Sequence, residues 1–558
     1  MNFAETTNGR AATYHQEYVN NGARNTSYIT RHFPFLPRLK RQAFFRSTRR
    51  YANHRTPSQI FMMDWREIHQ AVYQYRKNAS PLRVKTTIGV FTLVLIVVCL
   101  SWLRSGFPSP PSHLPRPLEP LSHSASEDLL ETIESLSTYF ADYPLNDAQF
   151  GEMGRRAEIL GNWLQKTTSS SLTPAQQKDL LHQTEAFARS LFPFLPADRS
   201  LLLPGPSSFE PETSGIVIPT GTKNFRYACH LVSCIRDVLH SKLPIQIAYA
   251  GDRDLPAAYR EMILDLTDNI ETLDISKIFA DKDLAFSKNG WSVKPFAALA
   301  SKFQHVLLLD ADAVFIQPPE TILESRGYRQ TGTYLFHDRL LWKGAFQERH
   351  QWWREQMKHR SPSETLLKSL VWTEDYAEEE DSGVVAIDKG RIPVLVGLLH
   401  ICWQNTETVR DRWTYRLTFG DKESWWFGFE LTGVPNTFEA HYASLLGSTL
   451  RRKDNADELC GFTIAHVDEA RKLLWYNGSL LKNKAVNPTE FDIPTHWMMD
   501  GTWWKGAARE EMSCMSGAPL RAMDETETKV VEENVRVAKR VDQRLAHAFP
   551  REWGNLDN

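Results

Sequence analysis

From about residue 214 the chain sets short apolar runs between turn signals: GIVIPTG at 215–221, IQIAYAG at 245–251 and HVLLLDADAVF at 305–315. Helix-like stretches separate them, CHLVSCIRDVLHS between the first two and KPFAALASKF before the third. Continuous apolar runs suit strands covered on both faces, and their alternation with helices predicts an α/β fold with a largely parallel sheet. Upstream, residues 126–200 carry helical periodicity, as in Leu129, Leu130, Ile133 and Leu136 and later Leu180, Leu181, Phe187 and Leu191. They predict a helical stem packed on the main body. Downstream, residues 525–549 space Val and Leu helically among charges, so 521–558 is expected to hold an amphipathic helix.

One apolar run has no polar face at all. TTIGVFTLVLIVVCLSWL, residues 86–103, carries no charge and lies between Lys85 and Arg104. Its length suffices for a transmembrane helix and its position is too far in for a cleaved signal peptide. Residues 1–85 hold 15 Lys/Arg against 4 Asp/Glu, so this basic tail is expected on the cytosolic side. The reading is a signal-anchor, type II, single-pass protein. A Pro/Ser-rich tether follows at 104–125, containing PSPPSHLPRPLEPLSHS, and the catalytic domain is expected over 201–520.

Composition adds little beyond this. The whole chain, 558 residues with a formal net charge of −2, offers nothing to suggest a nucleic-acid partner.

The candidate chemistry begins where HVLLL meets Asp310 and Asp312. In open α/β sheets ligands bind beyond the carboxyl ends of the strands, and two acids at i and i+2 of an extended segment project to one side. Such hard oxygen donors suit Mn²⁺ or Mg²⁺ bridging a nucleotide diphosphate. Lys294, beside Pro295 at a predicted helix start, could join that helix N-terminus in holding phosphate; otherwise it is a surface lysine. Asp381 in DSGVV is a candidate for sugar hydroxyls, while Glu378, Glu379 and Glu380 read as a solvated acidic loop. Asp421 in FGDKESWWFGFE is placed to stabilise an oxocarbenium-like transition state, or to cap the helix that follows. Trp425 and Trp426 could offer a flat face to a sugar ring.

Five blocks in order, GIVIPTGTKNFRYACHLVSCIRDVLHSKLPIQIAYAGDRDL, WSVKPFAALASKFQHVLLLDADAVFIQPPETILES, EEEDSGVVAIDKGR, YRLTFGDKESWWFGFELTGVP and CGFTIAHVDEARKLLWYNGSLL, resemble the fungal α-1,3-mannosyltransferase family, glycosyltransferase family 71. The resemblance spans roughly residues 214–485. It implies a GT-A type, Rossmann-like nucleotide-sugar fold, GDP-mannose as donor, Mn²⁺ as metal, a mannosylated glycan as acceptor, retention of configuration and a Golgi membrane location. On this pattern Asp310 and Asp312 form the D-x-D pair, Pro219, Thr220 and Gly221 lie by the nucleoside, and Arg226 is a diphosphate partner. His466 in TIAHVDEA would complete the metal shell.

Five cysteines follow the apolar segment, namely Cys229, Cys234, Cys402, Cys460 and Cys514, so at least one stays unpaired within the chain. Asn477-Gly478-Ser479 is a glycosylation sequon on the expected luminal side. Two other readings share the same residues. One is a glycosyltransferase with a different donor; the other is a non-catalytic scaffold whose long tail recruits a Golgi transferase complex.

Overall fold

Residues alternate between two cores along each central strand. In β4 (Phe303–Leu309), Val306 and Leu308 enter one hydrophobic cluster and Leu307 and Leu309 another, all fully buried. The same alternation holds in β1 (Glu210–Pro219), with Val217 on one side and Ile216 and Ile218 on the other. Both faces are covered, which is why these runs lack polar positions.

With β2 (Ile245–Tyr249), β3 (Ile270–Asp274), β6 (Thr333–His337), β7 (Val384–Asp388) and β8 (Phe438–Tyr442), these strands form a seven-stranded sheet ordered β3-β2-β1-β4-β7-β6-β8. The short β5 (Ala313–Phe315) belongs to a second, six-stranded sheet. The main sheet is largely parallel, as expected, with β7 its one reversed strand. β3, β2, β1 and β4 pair in parallel, whereas β7 runs antiparallel to both β4 and β6. Burial on both faces produces the same apolar run in either direction, so the sequence pattern carries no orientation.

The computed structural model describes residues 123–554 apart from 168–171, 207, 281, 283, 454 and 455. The basic tail, the apolar segment 86–103 and residues 104–122 of the tether lie outside these. Among the described residues no helix is long and apolar enough to cross a membrane. Helix α1 (His123–Asp142) takes in the last three residues assigned to the tether. It is followed by α2 (Phe150–Thr167) and α3 (Pro174–Leu191), the latter opened by a capping box between Thr173 and Gln176.

The stem helices are part of the main core. α2 inserts Phe150, Leu160 and Leu164 into the cluster that also holds Leu398 of α7 (Ile392–Gln404) and Phe427 of α8 (Lys422–Thr432). Gly154 makes the approach feasible: a Cβ there would sit 2.3 Å from the Leu431 carbonyl oxygen.

On the opposite face, α4 (Phe225–Asp237) packs against the terminal helix α9 (Glu525–Ala548), which buries Val531, Val535, Ala538, Val541 and Leu545. A capping box of Asp524 and Glu527 starts α9. An apolar stripe buried to this extent excludes a solvated single helix.

Candidate active site

The site lies beyond the carboxyl end of β4, where several loops converge. Asp310 ends the strand, and its backbone is pinned by donation to the Gly383 carbonyl (2.8 Å). The chain then turns, with the Ala313 amide donating to the Asp310 carbonyl (3.0 Å). Asp310 and Asp312 therefore stand on a tight turn, not on an extended segment that would hold them side by side. Each carboxylate meets a different lysine. Asp310 pairs with Lys294 at 2.9 Å, and Asp312 with Lys484.

Lys294 is no surface residue. It sits in α6 (Val293–Ala300), 4% exposed, with its ammonium between Asp310 and Asp421 (3.2 Å) and donating to the Ser382 carbonyl (2.7 Å) and hydroxyl (3.0 Å). Burial alone would lower its pKa, but the charges of Asp310 and Asp421 outweigh that and raise it, so the ammonium stays protonated. Asp310 is raised, by burial first and then by the neighbouring Asp421 and Asp381, against the pull of Lys294.

Asp421 precedes α8 without capping it through its side chain; its carboxylate instead accepts from Trp425 Nε1 (2.9 Å) and faces Lys294. The same helix buries Trp425 and Trp426 almost completely, so neither presents a ring to a sugar.

Asp381 is fully buried beside Ser382. It accepts from Asn477 Nδ2 (3.0 Å) and the Gly383 amide (3.1 Å), and its other oxygen lies 3.1 Å from His466 Nε2. Burial would raise it, yet the His466 hydrogen bond and the Lys422 charge hold it well below the usual carboxylate range. The His466 ring stacks on Trp475 at 4.3 Å between centroids. His466 thus orients Asp381. Its nitrogens do not converge with the Asp310 and Asp312 oxygens: among the described residues, the only three His/Cys/Asp/Glu donor atoms within 4.8 Å of one another belong to Glu458, Cys460 and Cys514. The last two are joined as a disulfide, while Cys229, Cys234 and Cys402 are free and buried.

Several expectations change here. Asn477 Nδ2, the atom a glycan would occupy, is spent on Asp381 inside the site, so the sequon does not offer an accessible acceptor. Arg226 is not free for a diphosphate. Its guanidinium chelates Asp542 of α9, with Nε at 2.7 Å from Oδ1, and donates to the Pro488 carbonyl. Pro219, Thr220 and Gly221 do close β1 at this end of the sheet, with Thr220 buried and the Gly221 amide donating to Asn224 Oδ1 (2.7 Å).

The glutamates before Asp381 are structural. Glu379 and Glu380 are buried, and their amides donate to Glu423, which also accepts from Trp426 Nε1 (2.6 Å). Burial pushes Glu423 up to about 8. A folded-state pKa above the unfolded one stabilises the fold fully below about pH 4.5, and that stabilisation is lost as pH rises through about 8. Glu423→Gln should therefore flatten the fall in stability between these limits, read as the wild-type minus variant difference in urea unfolding across pH; a difference that does not vary with pH would refute it.

Sequence reasoning overlooked Lys484, Lys422 and Asp338. Lys422 pairs with the buried Asp338, which also accepts from the Arg339 amide (2.6 Å). Only the position of Lys422 next to Asp421 hinted at a role. Lys484 sits at the tip of a hairpin that LLKNKAVNP signals weakly through its Asn-Pro step.

Fold and site together form an α/β sheet whose strand ends gather acids around a buried lysine. Residues 213–468 match the family described as "Mannosyltransferase putative" (Mannosyl_trans3). Alpha-1,3-mannosyltransferase MNT3 of Saccharomyces cerevisiae is 26% identical over 292 residues, 45% of this chain and 44% of that protein. Alpha-1,3-mannosyltransferase MNN1 of the same yeast is 24% identical over 347 residues, 52% of this chain and 43% of that protein. The matched segment is thus similar to fungal α-1,3-mannosyltransferases over about half of the chain. The alignments cover less than half the length of either relative. Among solved structures, the S. cerevisiae mannosyltransferase Ktr4p is 9% identical, with 51% of this chain and 84% of that chain covered at a TM-score of 0.28. The galactosyltransferase LgtC is 14% identical, with 40% and 72% covered at a TM-score of 0.27.

Proposed function

We propose that this chain is a metal-dependent α-1,3-mannosyltransferase of GT-A type that moves mannose from GDP-mannose to a mannose-containing glycan with retention of configuration. The observation that carries this reading is Lys294, a buried ammonium bridging Asp310 and Asp421 at the end of β4. A divalent cation would be held at the rim of the same strand end. The donors are hard carboxylate oxygens, and Asp310 is crowded by Asp421 and Asp381. Asp310 and Asp312 would hold Mn²⁺ or Mg²⁺, whose chemistry is to neutralise charge developing on the departing diphosphate.

The chain's own groups supply the rest. Lys294 fixes Asp310 and Asp421 in position by pairing with both. Asp421, paired with that lysine, would offer negative charge to an oxocarbenium-like centre. Asp381, expected at the sugar hydroxyls, is instead fully buried with its oxygens taken by His466, Asn477 and the Gly383 amide, so it acts as a positioning residue for the Ser382 loop that holds Lys294. Among the described residues none is set as an obligatory nucleophile, so the acceptor hydroxyl attacks the anomeric carbon from the face the diphosphate leaves, its proton passing to the departing phosphate. The Cys460–Cys514 disulfide fits an oxidising lumen and so supports a Golgi location with a cytosolic N-terminus.

The test is transfer by the purified full chain to defined mannosides, using a panel of nucleotide sugars with Mn²⁺ and with chelator. GDP-mannose alone should support transfer, with an α-1,3 product and loss of activity in chelator. Equal use of another donor, or full activity in chelator, would overturn the assignment.

A further inference from the structure

The seat of a nucleotide diphosphate needs positive charge that is not already committed. Two of the three lysines at the site are committed. Lys294 has two carboxylates and Ser382, and Lys422 is held by Asp338. Lys484 differs in both exposure and partners. Its side chain is 36% exposed, against 5% for Lys294 and 18% for Lys422, and its partner Asp312 is itself at the rim, 19% exposed against 1% for Asp338. Its ammonium also stands 5.8 Å from the Tyr227 ring centroid, at the start of α4.

Lys484 is presented by a hairpin of Leu481–Asn483 and Asn487–Phe491, and it stands in the turn between them. That hairpin is fastened from behind. Arg226 of α4 donates to the Pro488 carbonyl while chelating Asp542 of α9, and His230 of α4 reaches the same Asp542 at 2.7 Å. Lys539 of α9 lies 5.6 Å over the Phe491 ring. A fixed base with a long lysine at its tip holds a cation at the mouth of the site and leaves it free to pivot about its own side chain.

We propose that Lys484 binds the diphosphate of the nucleotide-sugar donor, exchanging Asp312 for phosphate oxygens. The assignment rests on the nucleotide-sugar reading above. Asp312 is the shared partner: it holds the Lys484 ammonium here and would also hold a divalent cation, which would leave Lys484 to the phosphates. Arg226 serves phosphate only through this hairpin, as a positioning residue. This also gives α9, which lies beyond the segment matched by the family, a part in donor binding.

The experiment is calorimetric titration of the full chain with GDP in the presence of Mn²⁺, alongside titration with Mn²⁺ alone. Lys484→Met should weaken GDP binding by about 10- to 100-fold, the loss of a charge-assisted contact, and Lys484→Arg should restore most of it. Mn²⁺ alone should bind Lys484→Met at least as tightly as wild type, because Asp312 is released; a global defect would weaken both titrations. Wild-type GDP affinity in Lys484→Met overturns the role of Lys484 and leaves the function standing. Failure of the wild type itself to bind GDP would overturn the function and this assignment together.

Discussion

Lys294→Met should destabilise the fold by about 3–5 kcal/mol and abolish transfer. The variant keeps the volume of the side chain and removes the only ammonium between Asp310 and Asp421, leaving acids that are crowded already. The Ser382 carbonyl and hydroxyl lose their donor as well. Most of the destabilisation is the cost of unpaired buried charge, so a second substitution should return part of it. Lys294→Met with Asp421→Asn should be more stable than Lys294→Met alone, measured by urea unfolding at neutral pH. Activity should not return in the double variant, since the site still lacks its cation. A stable Lys294→Met with wild-type turnover would refute the bridging role; a double variant no more stable than the single would refute the electrostatic cause.

The same lysine marks how far residues can be read in isolation. Strands β1, β2 and β4 are legible because both of their faces are covered, and helix α6 because its apolar residues follow a turn. The lysine's burial is not legible, because it depends on Asp421 and Ser382, which come from loops that are distant in sequence. Arg226 is the opposite case. It stands in the right region for a phosphate, but its partner Asp542 is 316 positions away, so no local pattern warns that the guanidinium is already spent. Glu379 and Glu380 look solvated in a run of acids, and only the buried Glu423 accepting from their amides shows otherwise. Asn477 satisfies a sequon by spelling alone, while the sheet turns its amide to Asp381. In each case the strand or helix is written locally and the polar partner is supplied by topology. Site residues fixed by one strand end, such as Asp310, can therefore be found early; those fixed by partnership, such as Lys484, cannot.

Asp312→Asn should lower transfer by about 100- to 1,000-fold and leave the fold intact. The two expectations separate because Asp312 contributes little to the interior. Its carboxylate is at the rim with one half-buried partner, and its backbone carbonyl, which accepts from the Ser479 amide at 2.8 Å, is unaffected by the change. Asparagine preserves shape and hydrogen-bonding capacity, so the midpoint of thermal unfolding should move by no more than about 2 °C, since roughly 1 kcal/mol shifts even a domain of about 150–250 residues by only about 2–4 °C. What is lost is charge. A neutral amide is a poorer ligand for a hard cation, so Mn²⁺ titrated alone should bind Asp312→Asn at least tenfold more weakly than wild type. Asp310→Asn gives the contrast, because that carboxylate is tied to Lys294 and its replacement alters the buried network as well as the rim. Loss of Mn²⁺ binding and transfer together, with unfolding unchanged, would locate the effect of Asp312 in the chemistry. Retention of full transfer by Asp312→Asn would remove Asp312 from the site, and with it the anionic partner through which Lys484 is held at the mouth.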